Sequence, residues 1–157
     1  MNNIEIEAYE LRYMFSDLMD KIRASGDYFT KVIGIERGGL NISVPIAKCL
    51  GVPHDSIKVS FYHSDEPVYD EEDIKKKIFG WGVPVLLVDD LIDSGKTAKL
   101  ICDVCPKSQW GREFKMATLH WNPECEIEPH FWAKEKPKDS WIVYPWENIK
   151  GEINELV

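Results

Sequence analysis

No stretch of this sequence is long or apolar enough to cross a bilayer. The longest apolar run, residues 83–88, holds six residues and includes Pro84, against the roughly 20 that a spanning helix needs. The N-terminal MNNIEIEAYELR has neither a basic segment nor an apolar one, so no secretory signal is expected. Positive charge is also in short supply. Nineteen Lys and Arg face 27 Asp and Glu, a net charge of −8, which argues against nucleic acid or an anionic membrane as partner. The cysteines are four, Cys49, Cys102, Cys105 and Cys125. Cys102 and Cys105 form a lone C-x-x-C without the second pair that a zinc site wants. The expectation is buried or half-buried free thiols in a reducing, cytoplasmic setting. The four histidines (His54, His63, His120, His130) are isolated, so no metal cluster of the phosphatase or nuclease kind is present. No internal period marks a repeat protein.

What is present is a chain of 157 residues, 44% hydrophobic, enough for one domain with its own core. Leu11, Met14, Phe15, Leu18 and Ile22 recur on one face of a helix that ends before Gly26. Residues 31–35 (KVIGI) read as a short buried strand, followed by the turn Glu36-Arg37-Gly38-Gly39 and a helix stopped by Gly51. Pro45 fits that helix only if it lies in the first turn. Residues 57–62 form a second strand, 84–88 (PVLLV) the clearest buried one, 97–104 a helix, and 115–121 a further strand. Strands alternating with helices predict an α/β fold, a parallel sheet flanked by helices. Residues 63–77, acidic then basic, read as an exposed mobile loop. The Trp- and Pro-rich remainder reads as a small C-terminal hood over the sheet edge, giving one domain with a core of about 1–122 and a hood of about 123–157.

The chemistry concentrates in VLLVDDLIDSGKTA, residues 85–98. A buried strand runs into Asp89-Asp90, and the turn Asp93-Ser94-Gly95-Lys96-Thr97 opens a helix. A helix N-terminus offers unpaired N–H groups, Gly95 lets the backbone approach closely, and Ser94 and Thr97 add hydroxyls, so the turn is an anion cradle sized for a phosphate monoester. A Walker A reading fails because its first glycine falls at Asp90. Two carboxylates would repel a triphosphate, but they suit ribose hydroxyls or a magnesium ion. Together the segment describes a site for a sugar phosphate.

This segment resembles the phosphoribosyl pyrophosphate (PRPP) motif of type I phosphoribosyltransferases: a hydrophobic strand, two acidic residues, then D-[ST]-G-x-T. The resemblance implies that Asp89 and Asp90 hold the ribose hydroxyls and help bind Mg²⁺. It likewise implies that Ser94, Gly95, Lys96 and Thr97 bind the 5′-phosphate. Arg37, Gly38 and Gly39 resemble the family's pyrophosphate loop, and residues 63–77 stand where it has a lid, from which Lys75, Lys76 or Lys77 could reach the pyrophosphate. Trp141-Ile142-Val143-Tyr144-Pro145-Trp146-Glu147 resembles the hood of small xanthine/guanine/hypoxanthine phosphoribosyltransferases. There the first Trp (here Trp141) stacks on the base and the next residue's backbone (Ile142) reads its edge; Trp146 reads as structural.

One departure concerns a lysine before proline that donates to the purine 6-oxo group; the matching residue here is Asn122, which can donate or accept. The implied reaction is displacement of pyrophosphate from C1 of PRPP by a base nitrogen, within purine salvage. Asp93, at the start of the phosphate turn, is the expected general acid/base, and it is also placed to cap the following helix. The resemblance further implies a homodimer or homotetramer. A non-catalytic sensor of PRPP or a nucleotide on the same fold is the alternative; the charge, the single-domain length and the presence of Asp93 weigh against it.

Overall fold

The computed structural model describes residues 1–61, 66–80, 82–105 and 113–147. In chain order the elements are β1 (Asn2–Glu5), α1 (Ala8–Ala24), β2 (Lys31–Glu36), α2 (Leu40–Leu50), β3 (His54–Ser60), β4 (Val68–Tyr69), α3 (Glu71–Phe79), β5 (Val85–Ile92), α4 (Lys96–Val104), β6 (Phe114–Trp121), β7 (Phe131–Glu135) and β8 (Ser140–Val143). Six strands form a sheet in the order β4-β3-β2-β5-β6-β7. All neighbours are parallel except β3 and β4. The predicted α/β class is the observed one.

Burial on both faces explains the continuous apolar runs. In β5, Leu86 and Val88 pack with α1 and α2 through Met14, Leu18, Ile42 and Ile46. Val85 and Leu87 point the other way, to Ile74 and Ile78 of α3 and Ala98 and Ile101 of α4. A parallel strand covered on both faces has no polar alternation to display. Helix α1 starts with a capping box between Glu7 and Glu10, and α2 ends at Gly51 with φ 69°, the left-handed position that glycine suits.

Several expectations are corrected. Pro45 is not in the first turn: α2 begins at Leu40, so Pro45 sits in the second turn and cannot donate back to the Asn41 carbonyl. Residues 71–77 are not loop. Ile74 and Ile78 are buried at a helical spacing, which anchors α3 despite its charge. Lys75 pairs with Glu71, and Lys77 pairs with Asp73 and donates to the Ser56 carbonyl, so neither side chain is held ready for a ligand. Residues 63–65 of the expected lid, and residue 62 of the expected strand, lie outside the described residues. Cys49 is exposed, while Cys105 is buried. The hood is not purely C-terminal: β8 pairs in parallel with β1, Ile142 opposite Ile4. The main sheet also continues beyond residue 122 into β7.

One buried chain of polar groups ties hood to sheet. The Tyr144 hydroxyl donates to the Asp90 carbonyl at 3.0 Å, and His120 Nδ1 lies 2.8 Å from it, so His120 donates to that oxygen. Burial pushes His120 down to about 4 from 6.5. The depressed value makes its contribution to stability complete above the unfolded pKa near 6.5 and lost as pH falls toward 4. Over that window His120 accounts for a loss of about 3 kcal/mol. Urea unfolding at pH 7 and pH 4.5, run on the native protein and on His120→Asn, should show a shallower pH dependence in the variant.

Candidate active site

Chain direction reverses across the sheet between β2 and β5: β2 continues through α2 to β3 on one side, whereas β5 continues through α4 to β6 on the other. In open α/β sheets, ligands bind in the crevice at the carboxyl ends of strands at such a switch point. Here the loops leaving β2 and β5 are those carrying Arg37-Gly38-Gly39 and Asp93–Thr97. The first of these loops lies directly against β5. A Cβ at Gly38 would lie 2.6 Å from Asp90 Cγ, and one at Gly39 would lie 2.6 Å from the Ile35 carbonyl oxygen. Only glycine admits this approach of the first loop to β5. The Glu36–Arg37 peptide bond is cis.

Strand β5 runs farther than the apolar run suggested, through Asp89 and Asp90 to Ile92, because β6 pairs with it that far, Leu91 opposite His120 and Ile92 opposite Trp121. A cleft of ≈ 270 Å³ opens above it, bordered by Asp89, Asp90, Asp93, the turn 94–97, Trp141 and Tyr144. A neighbouring cleft of ≈ 380 Å³ is lined by Arg37, Gly38, Asn41, Asp90, Trp146 and Glu147. Asp90 and Glu147 border both, so the expected sugar-phosphate and pyrophosphate regions adjoin.

Burial raises the Asp89 carboxyl well above the usual carboxylate range, and the adjacent Asp90 adds to it; Asp90 is raised by burial, with a further push from Glu147. A desolvated carboxylate pair of this kind suits a cation or a pair of hydroxyl donors. The described residues contain no group of three His, Cys, Asp or Glu able to cage a metal. Magnesium is commonly held by one or two carboxylates with the remaining positions filled by water and substrate phosphate, so Asp89 and Asp90 fit that ion.

Helix α4 begins at Lys96 with Gly95, φ 79°, as its cap. The expected capping by Asp93 does not occur. Gly95 is needed twice over, for its left-handed backbone and because a Cβ there would run into Cys125 Sγ. Gly95→Ala is expected to cost about 1–3 kcal/mol by strain and overpacking and to raise KM for the phosphorylated substrate; urea unfolding and steady-state kinetics check both.

The Asp93 carboxylate turns instead toward β6 and β7. Its Oδ1 accepts from Asn122 Nδ2 at 3.2 Å and lies 3.5 Å from Lys136 Nζ. Asn122 also donates to the Asp93 carbonyl at 3.3 Å, so its amide is turned to the phosphate turn. Trp141 stands 52% exposed at the cleft, whereas Ile142 is 3% exposed with its side chain in the core. Trp146 stacks on Tyr144 with ring centroids 4.6 Å apart, the structural role expected of it.

Sequence reasoning missed Tyr144, Glu147, Lys136 and Lys58. Tyr144 and Glu147 lay within the quoted hood motif; Glu147 accepts from the Tyr144 N–H at 2.8 Å. Lys58 borders a small hollow with Glu36, Arg37 and Ser60, and alternation along β3 could have suggested it. Lys136 had no signal, being one of several lysines in a charged segment.

Comparison with known proteins agrees with this geometry. Residues 7–148 match the family described as phosphoribosyl transferase domain. A xanthine-guanine phosphoribosyltransferase of Ruegeria sp. is 31% identical over 137 residues, covering 82% of this chain and 74% of its own. One from Desulfotalea psychrophila is 34% identical over 131 residues, covering 83% and 74%. The crystal structure of a purine phosphoribosyltransferase from Pyrococcus horikoshii superposes with a TM-score of 0.72 at 26% identity, covering 94% of this chain and 95% of that one.

Proposed function

This chain belongs to the phosphoribosyl transferase domain family, and from that premise we propose that it transfers the ribose 5-phosphate of PRPP to a purine, releasing pyrophosphate, as a purine-salvage enzyme. The observation that carries the reading is one cleft lined together by Asp89, Asp90, Asp93, the turn 94–97 and the half-exposed Trp141. A sensor would need the binding groups but has no use for a carboxylate held where the base nitrogen reacts.

The turn 94–97 binds the 5′-phosphate, with the α4 N-terminus supplying N–H donors. Asp89 and Asp90 accept from the ribose hydroxyls and would hold Mg²⁺. When bound, that ion supplies positive charge against the diphosphate. A purine nitrogen attacks C1 while the C1–O bond to pyrophosphate breaks with inversion, the bonding electrons leaving on the diphosphate. Arg37 and the loop amides at Gly38 and Gly39 receive the charge that develops there. Trp141 stacks on the base, with the Ile142 backbone at its edge; stacking of this kind contributes about 1–3 kcal/mol. Asp93 takes up the ring proton. A homodimer or homotetramer acting in the cytoplasm completes the reading; the family resemblance supports the assembly, and four cysteines that are free rather than paired support the compartment.

Pyrophosphate release from PRPP and Mg²⁺ is the test, with guanine, xanthine, hypoxanthine, adenine, uracil and orotate offered separately. Turnover with a purine is expected. Tight PRPP binding without turnover on any base would overturn the enzyme reading in favour of the sensor.

A further inference from the structure

The hood stands on strands of its own. β1 and β8 form a separate two-stranded sheet, so Trp141 belongs to one sheet and Asp89 and Asp90 to the other. Among the described residues, the hydrogen bonds that join the hood to the larger sheet meet at the Tyr144 hydroxyl. It donates to the Asp90 carbonyl at 3.0 Å and accepts from His120 Nδ1 at 2.8 Å. The Asp90 carbonyl needs such a donor. β2 pairs with β5 only as far as Val88, and β6 pairs with Asp89 and Leu91 but not with Asp90. A half-buried carbonyl left unpaired there would cost free energy, and the Tyr144 hydroxyl takes the place of the missing strand.

A tyrosine hydroxyl has one proton to give. The Asp90 carbonyl can only accept, so that proton is committed to it and His120 supplies the other bond. Burial, then Asp90 and Asp89, push the hydroxyl's pKa up, so the proton stays in place. Tyr144 is 2% exposed and stacks on Trp146, which leaves the ring little room to turn. Resting on the transferase reading, we propose that Tyr144 is a positioning residue that holds the base-stacking face of Trp141 in register with the carboxylates of Asp89 and Asp90. It acts through the Asp90 peptide and is itself held by His120. Neither half of the site depends on it alone. Trp141 is placed by the pairing of β8 with β1, and the carboxylates by the pairing of β5 with β6. What the hydroxyl fixes is the separation of the two halves, which matters only to a ligand that touches both. A purine nucleotide is such a ligand, as are a base and PRPP brought to reaction distance; ribose 5-phosphate alone is not.

The experiment pairs calorimetric titration with turnover. The probes are ribose 5-phosphate and whichever of GMP, XMP, IMP and AMP the native enzyme binds most tightly. Tyr144→Phe should bind ribose 5-phosphate as the native enzyme does but the nucleotide about 10-fold more weakly, in line with the loss of one neutral hydrogen bond. Its kcat should fall about 10–10²-fold, the scale of a small misplacement of reactants, with KM for PRPP unchanged. His120→Phe leaves the tyrosine in place, so it asks the same question of a chain that keeps the Tyr144 ring and hydroxyl; it should also weaken the nucleotide and spare ribose 5-phosphate. His120→Asn, which keeps an N–H donor, should stay closer to native. The double variant Tyr144→Phe/His120→Phe should bind the nucleotide no more weakly than Tyr144→Phe, because His120 acts through the hydroxyl. All titrations are run below the unfolding midpoint of each variant. Native nucleotide affinity and kcat in Tyr144→Phe overturn the assignment. So does an equal loss of affinity for ribose 5-phosphate and nucleotide, which would make Tyr144 a support of the fold alone. A native enzyme that turns over no purine fails earlier, and overturns the transferase reading together with this one.

Discussion

Asp93→Asn is expected to lower kcat about 10²–10⁴-fold, the usual range for a positioned general acid/base, while leaving PRPP affinity within a few-fold of native. The two effects separate because of where Asp93 sits. It is not the cap of α4; Gly95 is. In the proposed function ribose and phosphate are left to Asp89, Asp90 and the turn 94–97, so losing the Asp93 charge should disturb the reacting base more than the sugar. Asparagine keeps the shape and an Oδ1 that can accept from Asn122 Nδ2, as Asp93 Oδ1 does at 3.2 Å. What it loses is the anion facing Lys136 and the capacity to take a proton. Steady-state kinetics with PRPP held saturating, beside calorimetric titration of PRPP, separates the two. A loss confined to PRPP affinity, with kcat intact, would remove Asp93 from the chemistry.

Asp89→Asn is expected to pull stability and activity in opposite directions. The Asp89 carboxyl is raised by burial first and by Asp90 second. A carboxyl with a raised folded-state pKa contributes stability below the unfolded value and loses it as pH rises through the folded one. At neutral pH without substrate the Asp89 charge therefore destabilises the fold, and asparagine removes that cost. The midpoint of thermal unfolding should rise at pH 7, and the gain should shrink as pH falls toward the unfolded value near 4 and vanish only below it, where Asp89 is protonated in both folded and unfolded chains. With PRPP and Mg²⁺ the order reverses. Ligand stabilises the native enzyme by mass action, and the variant, lacking one of two cation-binding carboxylates, gains much less. Activity should fall about 10²-fold or more, by analogy with the loss of a single charge-stabilising group. Thermal unfolding with and without PRPP and Mg²⁺ provides all four values. A variant less stable than native in the absence of ligand would show that the carboxylate is stabilised by contacts rather than strained by burial.

Both predictions depend on a site whose local parts could be read from the chain because they are contiguous. Residues 85–98 carry strand, carboxylates and phosphate turn in one stretch, and chemistry built on one turn leaves its spacing in the sequence. The buried strands were equally legible, since apolar runs between turn residues have few other uses. The expected loop over 63–77 was misjudged in part because its charge outnumbers its apolar residues. Two isoleucines four apart, Ile74 and Ile78, were enough to seat α3.

The sequence by itself determined the α/β class, the small-residue turn that opens α4, the paired carboxylates and an aromatic segment suited to a flat base. Each follows from short-range rules: periodicity, helix N-termini and the φ freedom of glycine. Only the tertiary structure decided which groups meet. Pairing of β1 with β8 and the Tyr144–Asp90 hydrogen bond set the hood over the cleft. The register of β6 against β5 and β7 placed Asn122 and Lys136 on one oxygen of Asp93. These contacts join residues 29 and 43 positions from Asp93 in the chain. Nothing local distinguishes Lys136 from Lys134 or Lys138, because a lysine's partner is set by burial and strand register.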